Sequence, residues 1–175
     1  MFLMMEDERR EILATLTKGS TVLLDSLHGV TDELATYVPG PGKWSILQCV
    51  EHVAISEEYL FSLLTTSKRA ETPLINEQRE TVILTRGADR AIRREAPDGA
   101  QPTGRFSTLS DAVQHFIASR ERTIQFVNSN QEDLRSRTAL HPLMGTVNCY
   151  ELLLLMAVHP VRHAKQIEEI KATVA

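Results

Sequence analysis

Cysteine is scarce in this chain: 175 residues carry two, Cys49 and Cys149. A disulfide between them is one reading, but both have apolar neighbours, which favours two buried thiols. Basic clusters are missing as well. Arg93-Arg94 and Arg135-Ser136-Arg137 are too short to form a patch, and no basic helix with interleaved aromatics is present to hold nucleic acid. A net charge of −4 and a pI near 5.9 point the same way. Long apolar runs are lacking too. The longest, Leu152 to Val158, is far short of the roughly 20 residues a membrane span needs. Met1 to Met5 gives way at once to Glu6, Asp7 and Glu8, so no secretory leader is expected and the cytoplasm is the default compartment. Neither convincing strand alternation nor an internal repeat can be found.

What remains is an ordinary globular composition, 42% hydrophobic and 24% charged. The length fits one domain, residues 1–175, with ample material for a core. Four segments carry helical periodicity. The first spans about Glu6 to His28, with Ile12, Leu13, Leu16, Ser20, Leu23, Leu24 and Leu27 in one stripe and Gly29 at its end, where a left-handed cap is favoured. The second starts at Ser45, which forms a capping box with Gln48, and fades near Thr65-Thr66-Ser67. Ile46, Cys49, Val50, Val53, Leu60 and Leu64 make its buried face. The third runs from Thr108 to about Asn128, with Leu109, Val113, Phe116, Ile117, Ile124 and Val127 expected inside. The fourth runs from about Asn148 to Lys171, capped by Asn148 and Glu151. Some 40 residues separate the second from the third, with one or two short helices expected between Asn76 and Arg94. A connection of that length suits a four-helix up-down bundle with one long crossover between the second and third helices, carrying short helical segments. The fold expected is therefore all-α.

The fourth segment places His159 and His163 on its apolar stripe, with Leu152, Leu155, Met156, Ile167 and Ile170. Four residues rotate a helix by about 400°, so the two rings lie one turn apart on nearly the same face. Two imidazoles so placed can chelate one ion. His52, in the second segment, borders an apolar face beside Gln48, Cys49, Ser56 and Tyr59, a seam that suits a cavity wall. Together the three suggest a tri-histidine site with an open position. The bland reading is that the rings are hydrogen-bonded core residues. Pro160 follows His159 directly. It removes the bond to the Met156 carbonyl, at a cost of ~3 kcal/mol in a regular helix. Either a kink or a junction of two helices is expected there.

Arg162 and His141 keep more than one reading each. Arg162 binds an anionic substrate or makes a surface salt bridge. His141 contacts substrate, acts as a fourth ligand, or is a loop histidine. Trp44 is expected to anchor packing rather than form a substrate platform, and Glu51 is expected to face solvent. His28 suits a helix C-terminus, and His115 a surface or edge position.

Three stretches carry a family likeness. They are Gly42-Lys43-Trp44-Ser45 through Glu51-His52-Val53, a looser linker from Asp89-Arg90 to Pro102-Thr103-Gly104, and His141-Pro142-Leu143-Met144-Gly145 leading to His159-Pro160-Val161-Arg162-His163 and Gln166-Ile167. In this order, over nearly the whole chain, they resemble the DinB-like (DinB/YfiT-like) metal-dependent four-helix-bundle superfamily. The resemblance implies a divalent ion, zinc or nickel, on His52, His159 and His163. Pro160 departs from the small or polar residue usual at its place. Members with known activity include transferases and isomerases that use low-molecular-weight thiols, and a homodimer fits the family. Three neutral imidazoles leave an ion its full charge, able to acidify a water or a thiol. The expectation is a metal-dependent transferase working through such a thiol, or a hydrolase, on a small-molecule substrate. The alternatives are a metal-pinned or ligand-binding bundle without catalysis, and a metal-free interaction module.

Overall fold

The computed structural model describes residues 3–92 and 95–174; Met1, Phe2, the Arg93-Arg94 pair and Ala175 lie outside them. Four long helices form the body: α1 (Glu6–Ser26), α3 (Ile46–Thr66), α5 (Leu109–Ser129) and α6 (Cys149–Lys171), with short α2 (Asp32–Thr36) and α4 (Glu77–Arg86) between them. Local chemistry sets their starts. The Ser45 hydroxyl accepts from the Gln48 amide while the Gln48 side chain accepts from the Ser45 amide, and Asn148 and Glu151 make the same reciprocal pair. Each pair satisfies two amides that a helix start otherwise leaves orphaned. Thr31, which the sequence reading passed over, caps α2, and Thr108 caps α5. Gly29 ends the turn after α1 at φ 75°.

The expected four-helix bundle is present, and its long crossover has a topological reason. Glu57 meets Arg120 and Phe61 meets Phe126, so α3 and α5 run parallel. Arg9 meets Val127 while Leu16 meets Arg120, so α1 and α5 run antiparallel. Gly19 abuts Ala157 and Ser26 meets Lys171, so α1 and α6 run parallel. The order is up, down, down, up, and parallel neighbours need a connection that travels the bundle's length. That connection holds α4, docked on α6 through a bidentate Arg79–Glu151 pair at 2.5 and 2.6 Å.

A small antiparallel sheet accompanies the helices, contrary to the absence of strands in the sequence reading. It is ordered β1 (Lys68–Arg69), β2 (Arg137–His141), β3 (Gly145–Asn148). Strands of two to five residues cannot display a period, and these exist by pairing: Thr138 with Asn148, His141 with Gly145. Gly145, at φ 69°, closes the three-residue hairpin loop at an angle that side chains disfavour.

The α5 face is turned relative to expectation. Ala112, Phe116, Ser119, Arg120, Thr123 and Val127 are buried, while Ile117 is exposed. The apolar core falls into two clusters, one around Leu16, Leu64, Leu152 and Met156, the other around Leu23, Val50, Phe116 and Ile167. Both cysteines are free and buried, as expected, and burial pushes the Cys49 thiol up to about 12.

Candidate metal centre

Mid-bundle, α3 offers His52 and α6 offers His159 and His163, so the structure brings the three predicted histidines together. His52 Nε2 lies 3.0 Å from His159 Nε2, and His163 Nε2 lies 3.1 Å from the same atom. The outer nitrogens fix the tautomers. His52 Nδ1 sits 2.6 Å from the Ala100 carbonyl, which can only accept, so Nδ1 carries the proton. His163 Nδ1 faces Gln166 Oε1 at 3.1 Å, and Arg90 Nη1 donates to that same oxygen. Both rings therefore aim Nε2 lone pairs inward. His159 Nε2, even protonated, can donate to one of them only. Three nitrogens bound at 2.0–2.1 Å to one tetrahedral ion stand roughly 3.4 Å apart, close to the spacing seen. Burial first, then the neighbouring rings, hold His159 well below the ordinary imidazole range; burial, then His52, does the same for His163, and burial lowers His52. All three are thus the neutral form that ligates metal.

Residues behind the rings complete the site. The outer nitrogens of His52 and His163 are held by a carbonyl and an amide oxygen, the usual arrangement behind metal-binding imidazoles. Arg90, which holds Gln166, is itself paired with Glu169 at 2.8 Å. Glu51 is buried rather than solvent-facing. Its Oε1 accepts from the amides of Thr103 and Arg105 at 2.8 and 2.9 Å, pinning the crossover that delivers the Ala100 carbonyl. A carbonyl has no sequence signature, and Glu51 sits beside His52 with no signal separating an inward from an outward carboxylate.

Pro160 lies inside one unbroken helix, so the two histidines keep their spacing. The carbonyl it deprives of a partner, Met156 O, accepts from Arg120 Nη2 at 2.6 Å. Arg120 also binds Glu57 in bidentate fashion at 2.7 and 2.8 Å and the Leu16 carbonyl at 2.7 Å. Thr123 donates to Glu57 at 3.0 Å. One guanidinium thus ties all four long helices together where the proline would have left a gap.

The histidines open on a cleft of about 990 Å³, large enough for a drug-sized ligand. Trp44 packs its ring 4.9 Å from His52 and 6.2 Å from His163, centre to centre, and lines the cleft as well. His141, at the end of β2, lines the cleft but stands outside the three-histidine cluster. Its Nδ1 accepts from the Leu143 amide at 3.2 Å, so its proton resides on Nε2. Arg162 is buried and lines the cleft, and it donates to the Asp89 and Ile92 carbonyls of the crossover. His115 meets Glu58 at 2.6 Å away from the site, and His28 is exposed at the end of α1.

Comparison with known proteins agrees with this architecture. The family model described as the DinB superfamily matches residues 15–167. Among solved structures, YfiT from Bacillus subtilis is similar, with 16% identity and a TM-score of 0.62 over 98% of this chain and 90% of its own. It is described as a probable metal-dependent hydrolase with an unusual four-helix bundle topology. TT2238, described as a four-helix bundle protein, matches at 18% identity and a TM-score of 0.59, over 92% of this chain and 98% of its own. No curated protein matches. At such identities the structural likeness speaks for the fold alone.

Proposed function

The chain belongs to the DinB superfamily, and from that premise we propose that it is a divalent-metal-dependent enzyme acting on a small molecule in the cleft. The observation that carries this reading is the convergence of three Nε2 atoms at 3.0 and 3.1 Å, with two of their rings held by oxygen acceptors behind. Lone pairs gathered this way repel one another unless a cation lies between them. A divalent ion there, zinc or nickel, supplies Lewis acidity that makes a water or a thiol nucleophilic near neutral pH.

The protein's own residues orient and shield. Ala100 and Gln166 fix the His52 and His163 rings, Trp44 covers two of them, and His141 offers an Nε2 proton as a donor at the cleft wall. Among the described residues, no carboxylate joins the histidine cluster. Glu95 and Glu169 line the cleft, so the preference for group transfer involving a low-molecular-weight thiol over hydrolysis rests on the likeness to family members that use such thiols.

The test begins with elemental analysis of protein purified without a nickel column, for wild type and His163→Ala. About one equivalent of metal in the wild type, lost in the variant, is expected. A wild type that holds none and cannot be reloaded with zinc or nickel would sink the reading. Thiol consumption with a panel of electrophiles, against ester hydrolysis without thiol, then separates transfer from hydrolysis.

A further inference from the structure

The cleft is not uniform, and its two ends differ in chemistry. Antiparallel α3 and α6 place Leu60, two turns beyond His52, on the same side of the histidines as Leu155, one turn before His159. The β2–β3 hairpin, which leads into α6, adds Leu143 and Met144 to that side. At the opposite end the lining includes Lys43, Gln166 and Glu169. The hairpin end is the more apolar lobe, with His141, Ser56 and Tyr59 also along it, and the opposite end is the more charged, with Ile170 also along it.

The hairpin is the second observation. Tight hairpin loops are normally polar and rich in Gly, Asn or Asp. Here the loop is Pro142-Leu143-Met144, and Leu143 is 62% exposed at the lip of the cleft. Packing does not require a leucine there. Exposed apolar surface continuous with a site is where ligands bury theirs.

Building on the metal-enzyme reading above, we propose that the substrate carries an apolar alkyl, acyl or aryl group that occupies this lobe, and that Leu143 and Met144 select it. The reacting end of the molecule then lies at the histidines and its apolar end under the hairpin. A cleft of about 990 Å³ holds such a molecule together with a polar cosubstrate at the charged end.

The test uses alkyl hydroxamates, whose shared head group seeks the metal while the tail length varies. Acetohydroxamate and octanohydroxamate are titrated calorimetrically into zinc-loaded wild type, Leu143→Ser, Met144→Gln and the control Leu140→Ser. Leu140 is 73% exposed and does not line the cleft. In the wild type and the control, octanohydroxamate should bind at least about 30-fold tighter, since each buried methylene contributes roughly fourfold. That gain should shrink at least about threefold in Leu143→Ser or Met144→Gln, with acetohydroxamate unchanged. Equal affinity for the two compounds in the wild type, or a gain that survives both lip substitutions, overturns the apolar lobe while leaving the metal site standing. Failure of both compounds to bind a chain that takes up no zinc overturns the metal reading, and the lobe's assigned role with it.

Discussion

His52 and Glu57 lie five residues apart on α3, both buried, yet their surroundings differ in kind. Glu57 is fully answered. Two arginine nitrogens and a threonine hydroxyl meet its oxygens, and two more of the arginine's donors go to carbonyls on α1 and α6. His52 is answered only from behind, by Ala100, and its front nitrogen faces two other imidazoles. The first cluster is closed to a newcomer and works as structure. The second has donors and lone pairs arranged around something else, and it borders a cleft. Burial of polar groups is common to both; what sets the second apart is the convergence of like groups, two of them held from behind.

The largest test of that contrast removes one charge from the closed cluster. Arg120→Ala leaves Glu57 buried and unpaired, and should cost about 3–5 kcal/mol in chemical denaturation. His163→Ala in metal-stripped protein should cost far less, and equal losses would erase the distinction. Gly19→Ala sharpens it. A Cβ there would run into the Ala157 carbonyl, forcing α1 off α6 and straining the Leu16–Arg120 bond. The expected loss is about 1–3 kcal/mol, with metal stoichiometry intact by elemental analysis.

The open cluster should respond through affinity instead. Gln166→Leu frees the His163 ring, and zinc binding in competition with a chromophoric chelator should weaken about 10–100-fold, with little change in the melting of the metal-free form. Acidity gives a smaller effect of definite sign. The three imidazoles titrate below their ordinary value of 6.5 in the folded chain. Below about 6.5 the unfolded chain therefore binds more protons. Metal-free stability should be flat in this respect above 6.5 and decline as the pH falls below it, and the decline should lessen in His159→Ala. The smallest effect is expected for Pro160→Ala. The new amide can bond Met156 O, a partner Arg120 already supplies, so stability should move by less than about 1 kcal/mol and metal content not at all.

Much of this was legible in the sequence because it was local. Ser45 with Gln48 and Asn148 with Glu151 announced two helix starts, and the four-residue spacing of His159 and His163 announced a chelating pair. What escaped was decided by distant partners. The short strands exist only as a pairing, so Thr146 and Val147 carry no signal by themselves. The α5 face departs from its apolar stripe because Arg120 and Thr123 turn inward to meet Glu57, a residue on another helix. Glu51 lies inside rather than in solvent because its partners are backbone amides of the crossover, which carry no sequence signal. Pro160 pointed to a vacancy at Met156, but its filling by Arg120 depended on the fold.

The hold on His52 has a consequence for how such a protein can change. Its orienting partner is a main-chain oxygen at Ala100, and the strap bearing that oxygen is anchored by amides at Thr103 and Arg105. No side-chain substitution in the strap removes those groups, short of proline at one of the amides. The strap's side chains at Ala96 and Pro97, which line the cleft, can therefore drift toward new ligands while the imidazole stays aimed. Main-chain atoms of the segment hold the imidazole and its side chains face the cleft, so one set can change without the other.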